Sequence, residues 1–69
     1  MNGYSILYME LNVEKVQRQL DQIDKTFGWL AGQISVARSH MKYWVDHKSP
    51  AGAKPIAEFF GLEEKDLIK

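Results

Sequence analysis

The chain has 69 residues, 45% of them hydrophobic and 26% charged, and its 9 basic and 9 acidic side chains cancel to a net charge of zero. That length allows one domain, spanning residues 1–69, with a marginal core, and the absence of cysteine excludes disulfide staples and thiolate zinc sites. Stability must come from packing, helped by a partner subunit if there is one, and a zero total argues against a generic, uniformly basic nucleic-acid binder.

The longest apolar run, Ile6-Leu7-Tyr8-Met9, is far short of the roughly 20 residues that a membrane-spanning helix needs. No basic segment followed by a long apolar one marks a signal peptide. A cytoplasmic protein without a membrane partner is expected.

Residues 1–11 are read as an extended arm, an edge strand or an early start to the first helix. Tyr4-Ser5-Ile6-Leu7-Tyr8 is β-prone and follows the breaker Asn2-Gly3. A lone strand is unstable without a partner, so pairing with another subunit and loose docking of an apolar tail both stay open.

Asn12 can cap a helix over about residues 13–23, because its side-chain oxygen can accept from first-turn N–H groups. Val13, Val16, Leu20 and Ile23 recur on one face of that helix. Glu14, Lys15, Gln17, Arg18, Gln19 and Asp21 form its solvated side, with no catalytic pair among them.

Thr26 can cap a second helix carrying Phe27, Trp29, Leu30, Ala31 and Gln33. Gly28 and Gly32 weaken it by up to about 1 kcal/mol each, so tertiary contacts must hold it, and small Ala31 and Gly32 suit a close helix neighbour. Ile34-Ser35-Val36 is a turn whose two apolar residues plug the core. A third helix follows over about residues 37–46, with Ala37, Met41, Trp44 and Val45 inward and Arg38, Ser39, Lys42, Tyr43 and Asp46 outward. Two short helices set across a tight turn make a helix-turn-helix, whose second helix can lie in a DNA major groove.

Residues 47–54 are read as a loop rich in breakers. Pro55 suits the first turn of a fourth helix, with Ile56, Phe59 and Phe60 inward and Gly61 closing it. Glu63 to Ile68 forms a last short helix with carboxylates at its favourable end, and Leu62, Leu67 and Ile68 seal the core. The expected fold is all-α, a bundle of about five short helices around a central helix-turn-helix.

Charge is distributed unevenly. Residues 37–54 carry Arg38, Lys42, Lys48 and Lys54 against Asp46, a net +3, whereas residues 1–36 carry −1 and residues 55–69 carry −2. Chance clustering is the plain explanation in so short a chain. The alternative is that this polarity orients the protein on a polyanion.

The stretch Leu30-Ala31-Gly32-Gln33-Ile34-Ser35-Val36-Ala37-Arg38-Ser39-His40-Met41-Lys42-Tyr43-Trp44 resembles the helix-turn-helix of the phage lambda repressor and Cro-like regulators. That family's pattern is roughly Leu-Ala-x-x-Leu-Gly-Val-Ser-x-Ser-x-Ile-Ser-x-Trp. Ile56-Ala57-Glu58-Phe59-Phe60-Gly61-Leu62 with Leu67-Ile68 resembles its fourth and fifth helices, so the likeness covers about residues 13–68. The chain departs from the pattern at Ser35, where the family has the turn glycine, and at Phe27, where a phosphate-binding glutamine is usual. It departs again at Asp46-His47, in place of Asn-Gly, and in a short third-to-fourth connection that truncates helix four.

The resemblance implies a double-stranded DNA operator as partner and a transcriptional regulator, most simply a repressor of phage, prophage or bacterial type. It puts Arg38, Ser39, Lys42 and Tyr43 at base edges and His40 at the rim of that face. Arg38 would make a bidentate contact to guanine O6 and N7. Phosphate contacts fall to Thr26 and Phe27, through amides at the start of helix two, and to Lys48, Ser49 and Lys54 in the loop. A homodimer is expected, because one such unit buries little on DNA and operators are usually palindromic. Met1–Met9 and the last helices are its candidate surfaces.

The competing expectation is a protein partner: an antitoxin, an anti-repressor or another interaction module on the same fold, favoured by the neutral charge and the apolar start. Enzyme chemistry has little support. His40 and His47 are the only histidines, about two turns or roughly 10 Å apart, too far for one metal without bending side chains. Asp46 beside His47 reads as a helix end, and no phosphate loop or nucleophile motif occurs. No catalytic residue, metal, cofactor or small-molecule substrate is expected.

Overall fold

The computed structural model describes residues 9–69. Four α-helices make up this part of the chain: α1 (Val13–Gln22), α2 (Phe27–Gln33), α3 (Arg38–His47) and α4 (Ala53–Phe60). Two 3-10 turns, Pro50–Gly52 and Glu64–Leu67, complete it. The expected fifth helix is thus a single 3-10 turn. It is confined between Glu63, whose carboxylate takes part in a reciprocal cap with Asp66, and Ile68, which turns extended. Among the described residues no strand forms beyond one isolated bridge, and no helix is long and apolar enough to cross a membrane.

Local chemistry accounts for the helix starts. The Lys15 amide donates to Asn12 Oδ1 at 3.2 Å, and the Trp29 amide donates to Thr26 Oγ at 3.1 Å. Each bond satisfies one of the N–H groups that a helix start leaves without a partner. Ala37 caps α3 with no side-chain bond. Ala37 is therefore exposed at the mouth of the helix and not inward as its periodicity predicts.

The helix ends use left-handed backbone. Asp24, Ser35 and Lys48 have φ of 58°, 61° and 50°, and Gly61 has 73°. At Gly61 the Leu62 amide reaches back to the Ala57 carbonyl at 2.8 Å, which closes α4. Ile23 falls in the turn after α1 and is 45% exposed, so it drops out of the expected inner face.

The core gathers Leu11, Val16, Leu20, Leu30, Ala31, Met41, Trp44, Ala53, Ile56, Ala57 and Leu67. It holds no buried polar or charged residue among those described. Full burial of each of the larger aliphatic side chains is worth about 1.5–3 kcal/mol, which is how a neutral, disulfide-free chain of this size holds together. Phe59, expected inward, is 38% exposed. Ile56 and the small Ala53 and Ala57 take the inner face of α4 instead. Gly32 is exposed, with nothing within 4 Å of an added Cβ, so Ala31 alone makes the close approach on α2. The expected loop is mostly ordered structure: His47 ends α3, residues 50–52 form a 3-10 turn and Lys54 lies within α4.

Most of the expected arm, residues 1–8, lies outside the described residues. The remainder docks along the other end of the chain. Glu10 and Lys69 exchange two backbone hydrogen bonds of 3.0 and 2.9 Å, and the Asn12 amide donates to the Leu67 carbonyl at 2.7 Å. Leu11, fully buried, also donates its amide to the Lys48 carbonyl at 2.9 Å, at the end of α3. Residues 10–12 therefore tie the start of α1, the end of α3 and residues 67–69 together.

Candidate nucleic-acid interface

The 3.6-residue period divides α3 into a packed side and an exposed side. Met41 and Trp44 are almost fully buried, and Val45 is half-buried against the same core. Arg38, Ser39, His40, Lys42, Tyr43, Asp46 and His47 are exposed. Two rows run along the exposed side at four-residue intervals: Arg38, Lys42 and Asp46 in one, Ser39, Tyr43 and His47 in the other. Each row spans about 12 Å of helix axis.

The first row borders α2. The Arg38 guanidinium lies along Gly28, where an added Cβ would sit 3.5 Å from its Nε and 3.6 Å from its Cζ. An added methyl there would rest in ordinary van der Waals contact with the guanidinium, whereas a larger side chain would compete with it for the same surface. Phe27, Gly28, Arg38, Met41, Lys42, Val45 and Asp46 line a shallow groove of about 250 Å³ between the two helices. Next along the row, Lys42 Nζ donates to Asp46 Oδ2 at 2.8 Å. This hydrogen bond first, and the carboxylate's charge second, raise the Lys42 pKa above the ordinary lysine value. The expected base-contacting lysine is thus already paired, an arrangement visible in its i, i+4 spacing but not anticipated from the sequence.

The second row is aromatic. Tyr43, 55% exposed, stacks on His47 with ring centroids 4.4 Å apart. On its flank His40 lies against Trp44 at 4.7 Å. Each histidine is thus engaged with its own aromatic ring and not with the other histidine. Among the described residues no three His, Cys, Asp or Glu side chains group as metal ligands do.

The expected phosphate-contacting residues are split. Thr26 and Phe27 lie at the start of α2, beside Arg38. The Thr26 hydroxyl is taken up by the Trp29 amide and the Thr26 carbonyl by the Leu30 amide. Phe27 is half-buried against the core and offers no side-chain donor. Lys48 and Ser49 lie at the far end of α3. Lys48 is exposed there in left-handed conformation, and Ser49 is half-buried at the start of the 3-10 turn. Lys54 is exposed on α4. Glu14 shares the Lys48 end. Its carboxylate accepts from Lys69 Nζ at 3.1 Å, which holds its pKa below the ordinary value, with smaller contributions from the charges of Arg18 and Lys48.

Apolar side chains also reach the surface away from α3. Trp29 and Phe59 meet edge to face at 5.6 Å, and the Lys25 ammonium stands 5.4 Å from the Trp29 ring. No protein-family model, curated protein or solved structure matches this chain.

Proposed function

We propose that the protein is a sequence-specific double-stranded DNA-binding transcriptional regulator, most simply a repressor, built on a helix-turn-helix formed by α2 and α3. In this reading α3 lies in the major groove. The observation that carries it is the face of α3: Arg38, Ser39, Lys42 and Tyr43 are exposed side by side on a helix fixed from behind by Met41 and Trp44. A recognition surface needs side chains free to reach base edges and a backbone that does not shift under them. A helix with its side chains is about 10–12 Å across, which the roughly 12 Å width of the major groove admits. The local +3 over residues 37–54 supplies attraction to phosphate within a neutral chain.

Arg38 is the principal base reader, pre-positioned by its bed on Gly28. Ser39, Lys42 and Tyr43 share the reading, with His40 at the rim. Lys48 and Lys54 contribute affinity without sequence information, and Ser49 and the first amides of α2 are lesser backbone contacts. Two copies acting on half-sites one helical turn apart would provide the affinity that one small unit lacks. The lambda repressor and Cro-like family is the resemblance this reading shares.

A second reading, a protein-interaction module such as an antitoxin or anti-repressor, draws on the zero net charge and on the exposed apolar Ile23 and Phe59. Fluorescence anisotropy with labelled duplexes separates the two. DNA binding predicts an affinity that falls steeply with salt, by nearly one log unit per log unit of salt for each neutralised phosphate. Arg38→Ala costs about 1–3 kcal/mol at one base step, and Lys48→Ala weakens binding to every sequence alike. Salt-insensitive binding, or none to any duplex, contradicts the DNA reading.

A further inference from the structure

The acid in the first row of α3 has no evident structural use. Lys42 and Asp46 side chains are 75% and 51% exposed, and an exposed pair one turn apart adds little to helix stability. Asp46 nevertheless stands in line with Arg38 and Lys42, on the side of the helix offered to a polyanion, where a lone carboxylate is repelled.

The geometry of the pair resolves this. A donor, Nζ, and an acceptor, Oδ2, are held 2.8 Å apart. In the major groove a G·C pair presents guanine O6, an acceptor, beside the cytosine N4 amino group, a donor. These two atoms are joined by a base-pair hydrogen bond, so they too lie about 2.7–3.2 Å apart. An ammonium has three N–H groups and a carboxylate two oxygens. Lys42 can therefore keep one N–H on Asp46 and turn the others to guanine, while Asp46 keeps one oxygen on Lys42 and offers the other to cytosine.

We propose, resting on the DNA-binding reading above, that Lys42 and Asp46 act together as the reader of a single G·C base pair, with the ammonium on guanine O6 and N7 and the carboxylate on the cytosine N4 amino group. Discrimination follows from the neighbouring atoms. A T·A pair keeps an acceptor and a donor in the same order, thymine O4 and adenine N6, but the thymine methyl stands where guanine N7 would take the ammonium, and adenine N7 lies on the carboxylate's side. A C·G pair reverses the order and sets the carboxylate against guanine O6. Because the pair is neutral as a unit, it reads sequence without adding to non-specific attraction, which fits a chain with no net charge.

The test is competition binding by the wild type, Lys42→Ala and Asp46→Ala, using a duplex that the wild type selects and its single base-pair substitutions. Both positions are exposed on a helix, where alanine is well tolerated, and thermal melting verifies folding. The wild type is expected to prefer G·C over T·A at one step by about tenfold. Each variant is expected to lose that preference, and the double variant to lose no more than either alone. Asp46→Ala should also bind all other sequences more tightly, because a repelling charge is gone. If Asp46→Ala raises affinity uniformly and keeps the G·C preference, or if no step in the site prefers G·C, the paired reading is overturned while DNA binding stands. If the wild type binds no duplex, the proposed function fails, and this inference with it.

Discussion

Gly52 lies flat against the indole of Trp44: a Cβ at Gly52 would come within 2.8 Å of Trp44 Cδ2 and 2.9 Å of Cε3. Both atoms belong to a ring that is 6% exposed and has little room to move. The contact fixes the 3-10 turn onto the back of α3, the helix whose other side carries the proposed reading residues Arg38, Ser39, Lys42 and Tyr43. Gly52→Ala is expected to lower stability by about 1–3 kcal/mol through overpacking. Urea denaturation followed by tryptophan fluorescence checks this, and an unchanged midpoint would contradict the close approach.

Ser35 turns the chain between α2 and α3 at φ 61°, a left-handed conformation that costs a residue with a Cβ about 1–2 kcal/mol. Glycine avoids that cost but loses more backbone freedom on folding, so Ser35→Gly should stabilise by about 0.5–1 kcal/mol. Gly32→Ala should stabilise by a similar amount, because the site is helical and nothing lies within 4 Å of the added methyl. Gly61→Ala, at φ 73°, should act in the opposite sense. Thermal melting of the three variants gives the signs directly.

The seam between the start of α1 and residues 67–69 carries a pH signature. Glu14 titrates below its ordinary value of 4.5 because it accepts a hydrogen bond from Lys69. A carboxylate depressed in the folded state contributes stability that is present above the unfolded pKa and is lost as pH falls through the folded pKa. The contribution is therefore intact near neutrality and is lost in acid, as pH falls from the ordinary glutamate value through the depressed folded one. A carboxyl-detected NMR titration should show Glu14 titrating low in the wild type and moving up towards 4.5 in Lys69→Ala. An unchanged Glu14 midpoint in that variant would remove the ion pair from the account.

Local signals made much of the fold legible in the sequence. Asn12 and Thr26 act within their own first turns, and the spacing of Val16, Leu20, Leu30, Met41 and Trp44 reports one buried stripe per helix. What escaped depends on contacts distant in the chain or on how an element ends. Ile23 leaves the core because α1 stops one residue earlier, at Gln22. Phe59 yields the inner face to Ala53 and Ala57, whose small size hides their role from hydrophobic periodicity. The bridge from Leu11 to Ile68 and the seating of Gly52 on Trp44 join residues with no sequence signal in common. The exposed side of α3 follows from its period. The same period puts Lys42 and Asp46 within reach of each other, but whether they bond, and whether Arg38 rests on Gly28, depends on where a long side chain comes to rest.

Selection of bound sequences from a pool of randomised duplexes tests the central claim most directly. The account predicts that the protein enriches a motif with two related half-sites, that Arg38→Ala relaxes the preference at one base step of each, and that Lys48→Ala leaves the motif intact while lowering recovery. A wild-type pool with no enriched motif, or an Arg38→Ala pool with the same motif at full strength, would contradict the claim that α3 reads DNA.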